Sequence, residues 1–321
     1  MRAFLAIVGD TARLARSQTV FYVLAALLVL MSLGFVIVVK PVENEKGEKY
    51  LSFIFGEPKD RHLETTWYGG YAESTQINID QEDLNDSEKR MARIEKMMEE
   101  ASGLSRYERS VQGWHYTAQI VLFTVTMWLF LAACAGYFPG LMKEGAVDVV
   151  LAKPVPRWLV FLGRFVGGLI LLAIVLLVAQ TILFVGLALK TGIWHTGAYA
   201  SFPLLIFVAA LLYAIIALLG IAFNSSNLAL FGGYFLYLGV DTVMSILIGL
   251  RKEGTFDEFE TFGKIIDGMQ ASVPNFGMLK SLACVSVLSV PAFPWQPFMV
   301  ASAWLVGALG LAFFLFRRRD F

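Results

Sequence analysis

Six long apolar runs separated by short polar breaks dominate the chain. They are Val20 to Val39, about Tyr116 to Tyr137, Leu159 to Leu189, about Pro203 to Phe223, Leu228 to Leu250 and about Pro297 to Phe316. An α-helix needs roughly 20 such residues to cross the hydrocarbon core of a bilayer, where a backbone group without a partner is too costly. The breaks carry helix-ending chemistry: Lys40-Pro41, Pro139-Gly140 and Asn224-Ser225-Ser226-Asn227. The third run is long for one span, so it tilts or starts within the interface. The first is too long for a signal-peptide core and lacks a small-residue cleavage site, so residues 17–39 read as a retained transmembrane helix.

Four segments outside the runs have patterns of their own. Residues 1–16 alternate Phe4, Leu5, Val8, Ala12 and Leu14 with Arg2, Asp10, Arg13 and Arg16, which suits an amphipathic helix lying on the membrane surface. The other reading is a fraying start of the first span. Residues 40–113 form a small external domain: Tyr50 to Phe55 and Thr75 to Ile79 have strand character, and Leu84, Met91, Ile94 and Met98 make one helical stripe. Residues 251–293 start polar and turn apolar without the length to span before Pro291 and Pro294, so short external or re-entrant helices belong there. The fourth segment, between the second and third runs, is treated below. The predicted fold is an all-α membrane protein of six spans with a small α/β insertion at 40–113, the remaining five spans filling 114–321.

Charge sharpens this picture. Of 321 residues, 57% are hydrophobic and 16% charged, and 27 of the 52 charges fall within residues 40–113. A soluble globular chain spreads its charge over the whole surface; this one does not, and a soluble enzyme is ruled out. Zero net charge and no basic block argue against nucleic-acid binding. With the N-terminus inside, the short inner segments hold ten Lys/Arg against four acids, whereas the short outer ones hold five against five. The positive-inside bias therefore favours an N-in, C-in topology.

Little in the sequence points to catalysis. His62, His115 and His195 stand alone, Cys134 and Cys284 lie far apart, and no metal-ligand spacing occurs. There is no G-x-x-x-x-G-K-[ST], so the chain does not bind ATP by a P-loop, and any energised work draws on a gradient or a partner chain. No cofactor is implied. Asp241 is the one acid well inside a run, and intramembrane acids are rare and costly. It lines a translocation path or couples a proton, or else it bonds a neighbouring helix. Gly136-x-x-x-Gly140 and Gly163-x-x-x-Gly167, with Gly168, allow close helix contact within the chain.

The most informative stretch runs from Met142 to Phe165. Lys143 to Ala152 reads as a short amphipathic helix, stopped by Lys153-Pro154 and followed by Pro156-Arg157-Trp158 at the interface, with Arg157 and Arg164 as inner anchors. A stubby, bounded helix between two spans can transmit force from a cytoplasmic partner. The plainer alternative is an ordinary positive-inside loop.

Glu144, Gly145, Leu151, Lys153, Pro154, Arg157, Gly163 and Arg164 resemble the inner-side signature of permease subunits of type-2 ATP-binding-cassette (ABC-2) exporters. The ending Phe316-Arg317-Arg318-Arg319-Asp320-Phe321 is similar to the Arg-Asp tail of that family, particularly of permeases related to the copper-site maturation (nitrous-oxide reductase) transporter. The resemblance implies a multi-pass protein of the bacterial inner membrane, paired as a homodimer or heterodimer. A separate nucleotide-binding ATPase would dock on the inner loop through Glu144, Gly145, Asp148, Leu151, Lys153, Pro154 and Arg157. By the same resemblance, residues about 143–152 are the coupling helix and 1–16 the interfacial elbow. The long 40–113 insertion departs from simple exporters and suggests an extracytoplasmic partner. Two rival functions remain at this level, a gradient-driven carrier and a membrane scaffold for an external complex.

Overall fold

A computed structural model describes residues 6–11, 13, 19–43, 49–53, 104–142, 156–252, 260–288 and 295–319. Helix α1 spans Thr19–Val38 and leads straight into β1 (Val39–Glu43), which pairs antiparallel with β2 (Lys49–Phe53) in the register Val39 to Phe53 and Glu43 to Lys49. Helix α2 spans Arg106–Cys134 and ends in a 3₁₀ turn, Pro139–Met142. Helix α3 (Arg157–Thr191) and helix α4 (Ser201–Phe223) are joined through a 3₁₀ turn, Thr196–Ala200. The fifth run is divided into α5 (Ser226–Tyr234), a π-helical turn (Phe235–Val240) and α6 (Asp241–Lys252). Then come α7 (Glu260–Ser272), α8 (Phe276–Val285) with a 3₁₀ turn Ser286–Leu288, and α9 (Gln296–Arg318).

Among the described residues, six segments are long and apolar enough to cross a bilayer, and they coincide with the six apolar runs. Helix α3 has 35 residues, about 52 Å at 1.5 Å per residue, so it exceeds the ~30 Å core as its sequence implied. Helix α2 starts ten residues before its apolar run, because its start is set by a cap and not by hydropathy. Glu108 donates its backbone N–H to Ser105 Oγ (3.3 Å), and the Ser105 N–H donates to the Glu108 carboxylate (2.8 Å), a complete capping box. The Asn224-Ser225 break is equally specific. Asn224 closes α4 in the left-handed conformation (φ 50°), and Ser225 opens α5 by accepting from the Leu228 N–H. Helices α7 and α8 meet at 58° across Val273-Pro274-Asn275, with Asn275 capping α8 through the Met278 N–H. The short helices expected in 251–293 are this bent pair.

Helix α4 is the axis of the bundle. Its apolar window is 72% buried, against 17% for α1, for α5–α6 and for α9, whose outer faces are left for other apolar surroundings. Tyr213, at the middle of α4, has no exposed surface. Its ring stacks on Phe165 (4.9 Å, 15° between planes) and meets Phe130, Tyr137 and Phe138, and its hydroxyl donates to the Arg164 carbonyl (3.3 Å).

The glycine spacing in α3 is used within the chain. A Cβ on Gly163 would fall 2.7 Å from Ile7 Cγ2, and one on Gly167 would fall 3.0 Å from the Thr11 side chain. The helical N-terminal segment 6–11 therefore seats on the first turns of α3, with Thr11 fully buried. The next residue, Gly168, turns to another face of α3 and meets Tyr213, whose ring would lie 2.9 Å from an added Cβ. Gly140, by contrast, faces open space.

Because Tyr213 is locked among four rings, Gly168→Ala has no room to relax and should lower stability by about 1–3 kcal/mol. Gly307→Ala, in α9 with nothing within 4 Å, should be neutral or stabilising. Thermal unfolding of the two variants in lipid nanodiscs gives the comparison; equal melting temperatures would contradict the tight α3–α4 seam.

Candidate functional site

The inner loop that the sequence singled out hangs between two anchored ends. Glu144, Gly145, Asp148, Leu151, Lys153 and Pro154 lie outside the described residues; Arg157 and both flanks are within them. Upstream, the turn after α2 brings Pro139 against Gly220 of α4, where a glycine Cβ would be 3.1 Å from the ring. Downstream, Pro156 in extended conformation opens α3. Arg157 Nη1 then donates to the carbonyls of Arg317 (3.0 Å) and Arg319 (3.1 Å) at the end of α9. Arg319 in turn donates through Nη2 to the carbonyls of Ile221 (2.6 Å) and Ala222 (3.1 Å) at the end of α4. Arg164 is buried and donates from Nε to the Tyr137 carbonyl (3.3 Å), joining both sides of the loop, and it interacts electrostatically with Asp10 of the N-terminal segment. The start of α3, the ends of α2, α4 and α9, and residues 6–11 thus form one hydrogen-bonded and packed platform.

Asp241 lies where the π turn gives way to α6. Its Oδ1 accepts from the Gly277 N–H (2.6 Å), at the first turn of α8. It thereby ties the fifth span to the bent α7–α8 pair by meeting one of the unpaired donors of a helix start. Its own apolar run holds no basic residue. The fold supplies Lys280, three residues beyond Gly277, which interacts with Asp241 electrostatically and donates to Thr124 Oγ1 of α2 (2.7 Å). Lys280 lies outside all six apolar runs, and no spacing links it to Asp241.

The family model described as ABC-2 family transporter protein matches residues 5–321, nearly the whole chain. The chain belongs to this family. It is a transmembrane subunit of an ATP-binding-cassette transporter, a multi-pass protein of the cell membrane whose ATPase is a separate subunit. No curated protein matches the sequence.

The ABC-2 permease also contains polar machinery that sequence reading missed. At the opposite end of the bundle, the α3–α4 turn carries His195. Gln112 donates from Nε2 to His195 Nδ1 (3.4 Å), and His195 Nε2–H donates to the Val287 carbonyl (2.6 Å) beyond α8. Both bonds suit the neutral imidazole with its proton on Nε2; a proton added at Nδ1 would face the Gln112 amide hydrogens. Gly197 permits the approach, since a Cβ there would lie 2.7 Å from the imidazole and 3.3 Å from the Val287 oxygen. His115, isolated in the sequence, sits with its ring centre 5.7 Å from that of His195. The sequence signal was present: Gln112, His115, Gln119 and Thr126 follow 3-4-7 spacing, a polar stripe along one face of α2.

Two outcomes follow. Asp241→Ala strands the Gly277 N–H and should cost about 1–3 kcal/mol in thermal unfolding, whereas Asp241→Asn keeps a carbonyl acceptor and should cost less. An Asn variant as unstable as the Ala variant would show that the acceptor is not what holds α8. Burial holds the His195 imidazole below its ordinary 6.5, partly offset by the Val287 carbonyl. The unfolded chain then takes up the proton first, so stability is complete above 6.5 and declines as the pH falls from there toward the lowered folded value. His195→Gln keeps both bonding roles without titrating, so its melting temperature should fall less than the wild type's over the same acid range; parallel curves would exclude His195 as the titrating group.

Proposed function

We propose that the protein is the membrane half of an exporter, oriented N-in and C-in, whose separate ATPase docks on the inner loop through Glu144, Gly145, Asp148, Leu151, Lys153, Pro154 and Arg157. Residues about 143–152 act as the coupling helix, and residues 1–16 as the interfacial helix beside it. Two permease chains enclose the path between them. Closing of the ATPase dimer on ATP pulls the coupling helices, and the path changes the side on which it is open. Residues 40–113 lie on the far side, where they engage an extracytoplasmic partner.

The observation that carries this reading is the anchoring of Arg157. Its bonds to the α9 carbonyls, with Arg319 continuing to those of α4, let a displacement of the loop move α3, α4 and α9 as one. An ordinary connecting loop has no need to be fastened to three helix ends. Asp241 and Lys280 serve as the tie that makes the α7–α8 pair follow the fifth span.

Purification in mild detergent should recover a P-loop ATPase with the permease, and its absence under conditions that preserve complexes would overturn the docking assignment. Glu144→Ala should weaken that recovery. Arg157→Ala should weaken recovery of the ATPase less than Glu144→Ala does, yet lower permease-dependent ATP turnover per bound ATPase by about tenfold, the effect of losing roughly one charged hydrogen bond's stabilisation. Unchanged turnover in Arg157→Ala would remove its role in transmission.

A further inference from the structure

We propose that the interior between α2, α3 and α4 is a hydration site in which bound water is held by Gln119, Gln180 and His115, beneath the lid formed by His195 and Val287. Gln180 Nε2 donates both to Gln119 Oε1 (3.2 Å) and to Ser201 Oγ (3.2 Å), and the Ser201 hydroxyl passes its own proton to the Ala198 carbonyl (3.3 Å). The two carboxamides thus meet through a single bond. Gln119 Nε2 and Gln180 Oε1 are left without a hydrogen-bonding partner among the described residues, as is His115 Nδ1. All three side chains are essentially buried, with 1–2% of their surface exposed.

The deficit does not depend on which way the amides point. Reversing both carboxamides keeps the Gln–Gln and Ser201 bonds and again leaves one NH₂ group and one carbonyl unmatched. An amide donor, an amide acceptor and an imidazole nitrogen on neighbouring turns meet water's requirement for two to four polar partners. His115 and Gln119 are four residues apart on α2, so they share one face. Direct bonding cannot supply the missing partners, because the nearest alternatives are already used: Ser201 by Gln180 and Ala198, and His195 by Gln112 and Val287. The fourth buried atom without a partner, Thr126 Oγ1, lies two turns deeper. It has a different remedy, since a helical threonine hydroxyl turns to the carbonyl four residues back, as Thr117 and Thr124 do on the same helix.

One unmatched donor and one unmatched acceptor suit water, which both accepts and donates, better than a bare ion, which needs several groups of one kind. Bound water turns a stranded group of polar atoms inside a membrane bundle into a closed network. Beside it, the His115 ring packs against that of His195, which bonds to Val287 beyond α8.

The test is radiolytic hydroxyl labelling of the full-length protein in lipid nanodiscs in ¹⁸O water, read by mass spectrometry. Radicals form from bound water, so buried side chains beside it are labelled while dry ones are not. After correction for intrinsic reactivity, His115 should be oxidised at least about tenfold faster than Phe123 and Leu122, which are equally buried two turns deeper on the same helix. A His115 as protected as Phe123 would overturn the proposal, and this wild-type comparison requires no variant to fold. In the double variant Gln119→Leu, Gln180→Leu, labelling of His115 should drop to the Phe123 rate. Undiminished labelling there would show that the carboxamides do not hold the water.

Discussion

A helix end leaves its last carbonyls without a helical partner, and for a helix that ends at the edge of a bilayer a side chain from elsewhere in the chain can supply one. In this protein the answer at three ends is a cation reaching over from elsewhere in the chain. Lys190, at the end of α3, donates to the carbonyls of Val36, Ile37 and Val39, where α1 gives way to β1. Arg319 closes α4, and Arg157 closes α9. Each cation meets the negative pole of a helix dipole as well as its orphan acceptors. The order in which the helices pack follows from these closures, since a given end is satisfied only when a particular neighbour stands beside it.

At one end these closures coincide with the attachments of the inner loop. Arg157 and Arg164 flank it on α3, and Tyr137 and Pro139 flank it on the side of α2. Tyr213 then connects this platform to the bundle axis through the Arg164 carbonyl and the Phe165 ring. A tightly packed aromatic hub with glycine contacts transmits displacement and does not absorb it, as expected of interiors at near-crystalline packing density. The other end is held differently, by a polar lid of Gln112, His195 and Val287 and by the Asp241–Gly277 tie. Cations close helix ends on both sides, Arg157 and Arg319 at the inner loop and Lys190 at the other. The other includes an imidazole that acid can charge.

Much of the fold was legible in the residue pattern because the bilayer is a demanding solvent. Twenty apolar residues in a row have few alternatives to a spanning helix, and the breaks at Pro139 and Asn224 are local chemistry. The start of α2 was misjudged by hydropathy alone, since Ser105 and Glu108 extend the helix through polar residues. The segment Gly163 to Gly167 was recognised as a close-contact surface, but its occupant, Ile7 and Thr11, was not. Arg157 was recognised as an anchor at the interface; its partners 160 residues away were not.

The sequence by itself determined how many apolar spans there are, where they are separated and which loop bears the family signature, because those properties depend on residues close together in the chain. The tertiary structure alone decided what each intramembrane polar group does. Asp241 looked solitary until α8 brought the Gly277 N–H and Lys280 to it, and His115 and His195 looked unrelated until α2 and the α3–α4 turn were packed together. Hydrogen bonds act over about 3 Å. Which groups come that close, across 36 to 160 residues of chain, is set by helix packing and leaves no trace in local spacing.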